Sequence, residues 1–143
     1  MTKQVYFEDI TVGSEIPPLV KKPGNVQLFL FSAVTRNAHR IHYDKDFAAL
    51  EGHPDLLVHG PLQGAFLVQL LTDWIGREGR LKKIAYQNRA RAFPGDTITC
   101  KGKVTRKYVE DGENLVDCEI WDERQTGEVC APGTATVSLP SRE

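Results

Sequence analysis

Residues 61–75, PLQGAFLVQLLTDWI, carry the strongest secondary-structure pattern in the sequence. Its apolar residues are spaced so that they cover almost the whole circumference of a helix. Pro61 suits the first helical position, where a missing N–H costs no hydrogen bond. A helix that is apolar on nearly all sides is one that other structure surrounds. The sequence therefore predicts a long helix buried at the centre of the molecule.

Three segments after this helix alternate between apolar and polar residues, a period of two that is typical of half-buried strands. They span residues 97–105, 116–121 and 131–139. The pairs Asp111-Gly112 and Thr126-Gly127 supply the turns between them. These features predict an antiparallel meander of long strands that begins near Lys82.

The chain before the central helix opens with a region rich in turn residues. Asn25 then suits the N-cap of a helix whose apolar residues repeat from Val26 to Val34, and Asp44 suits the cap of a short helix. No repeat or linker divides the chain, so we expect one domain, residues 1–143. One buried helix followed by long antiparallel strands predicts an α+β class and a hot-dog fold, in which a curved antiparallel sheet is wrapped around the long central helix.

Composition excludes several classes of function. The chain has 143 residues, of which 41% are hydrophobic and 26% charged, the balance of a globular protein. Its net charge of −1, with no basic block, argues against nucleic acid as a partner. The longest apolar stretch, residues 65–71, is too short to span a membrane. Cys100, Cys118 and Cys130 have no disulfide or zinc-binding spacing, so we expect reduced thiols and a cytoplasmic protein.

All four histidines fall within residues 39–59, in loops before the central helix. Loops on a rigid scaffold commonly carry reactive groups, so this region is the first candidate for a site. His39, His42 and Asp44 could in principle bind zinc, but Arg40 would place a positive charge beside the ion. We therefore expect no metal. Ordinary packing or loop roles for these histidines remain the alternative.

Three segments together resemble a known family. Residues 32–44, SAVTRNAHRIHYD, resemble the hydratase motif of the MaoC-like hot-dog proteins, the (R)-specific enoyl-CoA hydratases and dehydratases. Residues 58–62 resemble the second motif of that family, and residues 93–96 resemble a later turn that leads into a strand. The common motif has an aspartate where this chain has Asn37. The asparagine form is similar to mesaconyl-CoA hydratases and type 2 hydroxyacyl-thioester dehydratases.

This resemblance implies hydration of a 2-enoyl-CoA thioester, or the reverse dehydration. Such a reaction needs a general base and acid, for which His42 is the candidate because the unperturbed pKa of a histidine lies near neutrality. Asn37 has an amide that could orient water toward His42, although a helix C-cap explains Asn37 equally well. The Gly60 N–H, at the start of the central helix, could stabilise the enolate oxygen. We assign no chemistry to His59.

Substrate and partner expectations follow from the same resemblance. Arg89 and Arg91 are predicted to share one face of a strand, from which they could bind the phosphates of coenzyme A. The coenzyme A thioester is then the substrate, and no cofactor is expected. The usual assembly of hot-dog proteins predicts a homodimer or a dimer with a related hot-dog subunit.

Two other functions stay open. A hot-dog thioesterase would need a carboxylate to activate water, and Asp73 and Glu78 on the long helix are the candidates. The chain could instead be a non-catalytic subunit that binds acyl-CoA within a heteromeric hydratase. Asn37, in the place of the usual acid, keeps this second alternative open.

Overall fold

The computed structural model describes residues 3–143, which form three helices and five strands. The helices are α1 (Asn25–Thr35), α2 (Lys45–Leu50) and α3 (Gly60–Ile75). The strands are β1 (Glu15–Lys21), β2 (Arg80–Tyr86), β3 (Ile98–Glu110), β4 (Glu113–Arg124) and β5 (Val129–Ser138). Short 3-10 helices lie at Phe7–Asp9 and Arg40–His42.

The five strands form one antiparallel sheet with the order β1-β3-β4-β5-β2. Helix α3 contacts every strand of this sheet. Its leucines contribute much of the core, and Leu67 and Leu71 have no exposed surface. The predicted α+β class and the hot-dog fold, with a long central helix, are confirmed.

The alternation of the C-terminal strands is also confirmed. In β3 the buried positions are Ile98, Cys100, Gly102 and Val104, and the residues between them are more exposed. Asp111 and Gly112 both have positive φ, 50° and 76°, as a tight hairpin turn between β3 and β4 requires. The predicted turn at residues 126–127 is present between β4 and β5.

The beginning of the fold differs from the expectation. β1 lies in the region that we expected to be turns, because Pro17 and Pro18 hide its strand pattern. The prolines sit where the register between β1 and β3 shifts, and β1 is an edge strand, the position where proline is tolerated.

Three helix boundaries need correction. Asn25 is the first residue of α1 rather than its N-cap, which is Gly24. α3 begins one residue before Pro61, so the proline is its second residue. Glu78 was expected on α3, but the helix ends at Ile75 and Glu78 lies beyond it.

The apolar repeat of α1 does not face the core. Val26, Phe29, Leu30 and Val34 are between 53% and 82% exposed, whereas Leu28 and Ser32 are the buried residues of the helix. The repeat predicted the helix correctly, but α1 is attached to the molecule through a different face.

Candidate functional site

Three loop segments meet at the N-terminus of α3. The N–H of Leu57 donates to the carbonyl of Ile41 at 3.0 Å, which joins the loop before α3 to the 3-10 helix at Arg40–His42. The N–H of Val58 donates to the carbonyl of Ala92 at 2.9 Å, which joins the same loop to the segment after β2. These bonds bring His42 next to the start of the central helix.

His42 is held in one tautomer. Its Nδ1–H donates to the carbonyl of Leu57 at 2.8 Å, so the lone pair is on Nε2, which makes no hydrogen bond with residues 3–143. The side chain is nearly buried, and this desolvation lowers its pKa below 6.5. The hydrogen bond to Leu57 opposes the shift, and the neighbouring His39 adds to it. At neutral pH, His42 is therefore a neutral imidazole that can accept a proton.

His59 packs against His42, although the sequence indicated no role for it. The two rings stack with their centroids 3.8 Å apart and an interplanar angle of 18°. His59 is fully buried, and its Nε2 lies 2.7 Å from the Ser32 hydroxyl of α1. Burial lowers its pKa to about 4, so the ring stays neutral and adds no charge against the face of His42.

A cavity of about 260 Å³ opens beside these residues. It is lined by side chains and backbone from the loops and from α3: His42, Leu57, Val58, Gly60, Gln63, Asn88, Arg89, Ala90 and Arg91. The structure thus brings together four of the five predicted site residues, namely His42, Gly60, Arg89 and Arg91.

Gly60 is the first residue of α3, so its N–H has no partner within the helix. The helix dipole makes this end of α3 electropositive, which suits an anionic oxygen. The structure also gives a second reason for glycine at this position. A Cβ on Gly60 would lie 2.1 Å from the Asn88 amide, so any side chain would displace Asn88 from the cavity wall.

Arg89 and Arg91 line the cavity, but the strand on which we placed them is wrong. β2 ends at Tyr86, and both arginines lie in the irregular segment that follows. The N–H groups of Arg89 and Ala90 both donate to the carbonyl of Cys130, which ends the regular pairing of β2 with β5. Arg91 places its Nη1 3.1 Å from Nδ1 of His53.

Asn37 is not among the residues that line the cavity. Arg36 before it has the left-handed conformation, with φ 55°, and the N–H of Asn37 donates to the carbonyl of Ser32 at 2.9 Å. The Asn37 backbone therefore closes α1. Its side-chain oxygen faces the N–H of His39 at the long distance of 3.4 Å.

The other two residues considered as metal ligands, Asp44 and His39, have structural partners. Asp44 accepts from the N–H of Phe47 and pairs with Arg40, which confirms it as the cap of α2. His39 faces Glu51 at 3.5 Å. Within residues 3–143, no three His, Cys, Asp or Glu side chains are grouped as metal ligands.

The two carboxylates considered for a thioesterase are absent from the cavity wall that holds His42. Asp73 lines a separate cavity of about 350 Å³ between α3, β1 and the N-terminal residues. Glu78 follows α3, and its N–H donates to the Gln4 side chain.

Two polar residues of the cavity wall, Gln63 and Asn88, were not predicted from the sequence. Gln63 occupies a helical position that we interpreted only as part of an apolar helix, and a single glutamine there gives no distinctive signal. Asn88 follows β2 and becomes visible as a wall residue only through its contact with Gly60.

No helix in the described part of the chain has the length and hydrophobicity to cross a bilayer.

Comparisons with known proteins show which family this chain belongs to. Residues 14–94 match the model of the family hydroxyacyl-thioester dehydratase type 2. The chain is 59% identical over 44 residues to mesaconyl-C(4)-CoA hydratase of Chloroflexus aurantiacus, a match that covers 30% of this chain and 16% of that protein. It is 28% identical over 135 residues to the 3-oxo-4,17-pregnadiene-20-carboxyl-CoA hydratase beta subunit of Mycobacterium tuberculosis, and this match covers 94% and 99% of the two chains.

A solved structure shows the same fold. The (R)-hydratase from A. caviae involved in PHA biosynthesis superposes with a TM-score of 0.83 at 24% identity, over 93% of this chain and 99% of that one. The family match itself covers more than half of the chain and includes both His42 and the start of α3. The chain therefore belongs to the hydroxyacyl-thioester dehydratase type 2 family.

Proposed function

We propose that this chain catalyses the hydration of a 2-enoyl-CoA thioester to the 3-hydroxyacyl-CoA, or the reverse dehydration. One observation carries the proposal: His42, whose Nε2 makes no hydrogen bond with residues 3–143, and Gly60, whose N–H has no partner within the helix, line the same cavity. Hydration needs a proton acceptor for water and a donor for the thioester oxygen. The family match and the hydratase relatives support the same reaction class.

In the proposed mechanism, the thioester carbonyl accepts a hydrogen bond from the Gly60 N–H. His42 Nε2 takes a proton from water as the water oxygen bonds to the β-carbon, and the electron pair of the double bond moves onto the thioester oxygen. The Gly60 N–H and the dipole of α3 stabilise this enolate. The protonated His42 then returns the proton to the α-carbon, which regenerates the carbonyl and completes the addition of water.

Substrate binding is proposed to use the arginines of the cavity. The guanidinium groups of Arg89 and Arg91 are exposed at its wall, where they can meet the phosphates of coenzyme A. No cofactor takes part in this reaction. Arg89→Ala should raise the KM for an enoyl-CoA while leaving the kcat largely unchanged, because its contact does not depend on the transition state.

The direct test is loss of enoyl absorbance across a panel of 2-enoyl-CoA thioesters, with the protein purified alone. His42→Ala should lower the kcat by roughly 10²- to 10⁴-fold, the contribution of a positioned acid–base group. His39→Ala is the matched control, because the His39 ring is half exposed and pairs with Glu51 outside the cavity. Equal turnover by the His42 and His39 variants would disprove the assignment of the base.

The pH profile provides a second test of His42. Because burial lowers its pKa, the base form should persist below the pH expected of a free histidine. The rate should rise with pH along an acid limb whose midpoint lies below 6.5. A midpoint above that value would contradict the assignment of a desolvated His42.

Asn37 does not line the cavity, so its predicted role in orienting water is tested separately. Asn37→Ala should then lower the kcat more than it changes the KM. Asn37→Asp should retain activity but move the acid limb to higher pH, because a carboxylate near His42 raises its pKa. Unchanged rates in both variants would leave Asn37 with its structural role at the end of α1.

The alternative is a non-catalytic subunit that binds acyl-CoA and pairs with a related hot-dog chain. Two observations favour it: one relative is named a beta subunit, and Asn37 replaces the usual acid and lies outside the cavity wall. Turnover by the chain alone would exclude this alternative. Turnover that appears only after a related hot-dog chain is added would support it.

A further inference from the structure

A buried carboxylate lies beneath the cavity. Asp122 of β4 has no exposed surface, and its Oδ1 accepts from the N–H of Ala131 at 2.7 Å. No lysine, arginine or histidine in residues 3–143 forms an ion pair with it. Burying a carboxylate without a cation is costly, so the group needs an explanation beyond the packing of the sheet.

Gln63 connects this carboxylate to the cavity. Its side chain is 2% exposed, and one end of its amide lies 2.8 Å from Oδ2 and 3.3 Å from Oδ1 of Asp122, where an amide nitrogen can donate to the carboxylate. While Asp122 is ionised, the amide oxygen does not face it, because the oxygen would meet only acceptors there. Gln63 also lines the cavity one helical turn after Gly60 and together with His42.

We propose that Asp122 holds the Gln63 amide with its oxygen turned toward the cavity, so that Gln63 accepts a hydrogen bond from the reacting water or the 3-hydroxyl group. This inference rests on the proposed hydratase function. Asp122 is then a positioning residue that acts through Gln63, and Gln63 is a contact for the reacting oxygen.

The chemistry of water supports this arrangement. A water molecule has two O–H donors, and two acceptors in the cavity, His42 Nε2 and the Gln63 oxygen, would use both. The lone pairs of the water oxygen are then free to attack the β-carbon. An amide turned the other way would present N–H donors to those lone pairs and would compete with the attack.

The protonation state of Asp122 determines the orientation of the Gln63 amide. As a carboxylate it only accepts, whereas as a carboxylic acid it could donate to the Gln63 oxygen and turn the amide nitrogen toward the cavity. Burial raises the pKa of Asp122 to about 6, so it is mostly ionised at neutral pH. The titratable groups that face it are the thiols of Cys100 and Cys130, which burial keeps neutral by raising their pKa values to about 12.

Asp122→Asn is the decisive variant. The Ala131 N–H still needs an acceptor, so the new side-chain oxygen faces Ala131 and the new NH₂ group faces Gln63. Gln63 must then turn its own oxygen away from the cavity to accept. The hydrogen bonds of the pair survive, and yet the acceptor in the cavity is replaced by a donor.

We expect Asp122→Asn to lower the kcat for enoyl-CoA hydration by about 10- to 100-fold, with a much smaller change in KM. Adding Gln63→Glu should restore much of this loss. One carboxylate oxygen of the new side chain can accept from the amide introduced at position 122, and the other returns an acceptor to the cavity. A structural role for the pair predicts the opposite result, with a near-normal kcat for Asp122→Asn.

Asp117→Asn is the matched control for the carboxylate. Asp117 also lies on β4 and accepts side-chain hydrogen bonds, from Tyr108 and Thr136, but it does not line the cavity with His42. Gln69→Glu is the control for the glutamine, since Gln69 lies on α3 outside the cavity wall. Both controls should keep the kcat within about twofold of the parent chain.

The outcomes separate the two proposals. An inactive parent chain would overturn the proposed function, and with it the contact to the reacting oxygen. An active parent chain with an equally active Asp122→Asn variant would overturn only the role of the pair. NMR of the Gln63 side-chain amide gives a readout without substrate: its signals should show a transition with a midpoint near the Asp122 pKa, and Asp122→Asn should remove that transition.

Discussion

Helices α1 and α3 are both rich in apolar residues, but they occupy opposite environments. α3 contacts all five strands and has eight buried residues, whereas α1 buries only Leu28 and Ser32 and leaves Phe29 and Val34 exposed. The spacing of apolar residues therefore predicts that a segment is helical without predicting which face it buries. The two helices are joined by the hydrogen bond between Ser32 of α1 and His59, the N-cap of α3.

The largest expected effect tests whether the contribution of a residue to stability depends on its burial rather than on the helix in which it lies. Leu71→Ala in α3 and Leu28→Ala in α1 should each lower the free energy of unfolding by about 2–5 kcal/mol, because both leucines are fully buried and leave a cavity. Chemical denaturation measures this change. A loss at Leu28 that is far below the loss at Leu71 would show that α1 is only loosely packed.

The next effect concerns pH and the contact between the helices. The pKa of His59 falls from 6.5 to about 4 on folding, so the unfolded chain binds more protons between these values. Stability should therefore be complete above about pH 6.5 and should fall as the pH decreases toward 4, by on the order of 3 kcal/mol from this group.

A comparison of variants isolates that contribution. His59→Gln should lose much of the decrease in stability between pH 7 and pH 4, while His39→Gln, at an exposed ring, should keep it. Asp122 acts in the opposite direction, since its raised pKa makes its burial less costly at acid pH. Its contribution is the same in all three chains, so the difference between them reports His59. Identical pH dependence in the three chains would contradict the buried neutral state of His59.

A smaller effect is expected when the bond between the helices is removed directly. Ser32→Ala should cost about 1–3 kcal/mol, because it leaves both ring nitrogens of the buried His59 without a partner. Thr35→Ala is the control on the same helix, since the Thr35 hydroxyl donates to the Phe31 carbonyl at an exposed position. Thermal unfolding of the two variants should separate them clearly, and equal melting temperatures would argue against the contact.

The smallest effect is expected on the outer face of α1. Leu30→Ala and Val34→Ala should each change the free energy of unfolding by less than about 0.5 kcal/mol, because these side chains are already 53% and 82% exposed. Leu28→Ala, two residues before Leu30, is the contrasting variant. A cost above about 1 kcal/mol at Val34, measured by denaturation across a range of protein concentrations, would show that this face is covered in solution.

The predictable parts of the fold are those with a local pattern. The apolar residues all around α3 and the alternation of apolar and polar residues in β3, β4 and β5 can be recognised from short stretches of sequence. β1 was missed because its identity depends on pairing with β3, far along the chain, while Pro17 and Pro18 suggest a turn. The extension of β2 to Arg91 was wrong because the chain leaves the ladder to bond twice with one carbonyl, that of Cys130.

The same distinction holds for the candidate site. His42 and Gly60 could be identified because each lies in a motif with a recognisable chemical reason. Gln63 and Asp122 could not, since one belongs to a helix and the other to a strand, and only the folded chain places them 2.8 Å apart. The stack of His59 on His42 likewise joins residues 17 positions apart in the chain and has no sequence signature.

The two prolines of β1 give the sheet unequal edges. Pro17 and Pro18 carry no N–H, and the bulge beside them breaks the spacing of the remaining groups, so another chain cannot continue the ladder there. β2, at the opposite edge, has no proline and pairs with β5 on one side. Polymerisation through strand edges requires two open edges, and this sheet offers one. Edge-to-edge growth would therefore stop after a single addition, which protects an antiparallel sheet of this size against fibre formation.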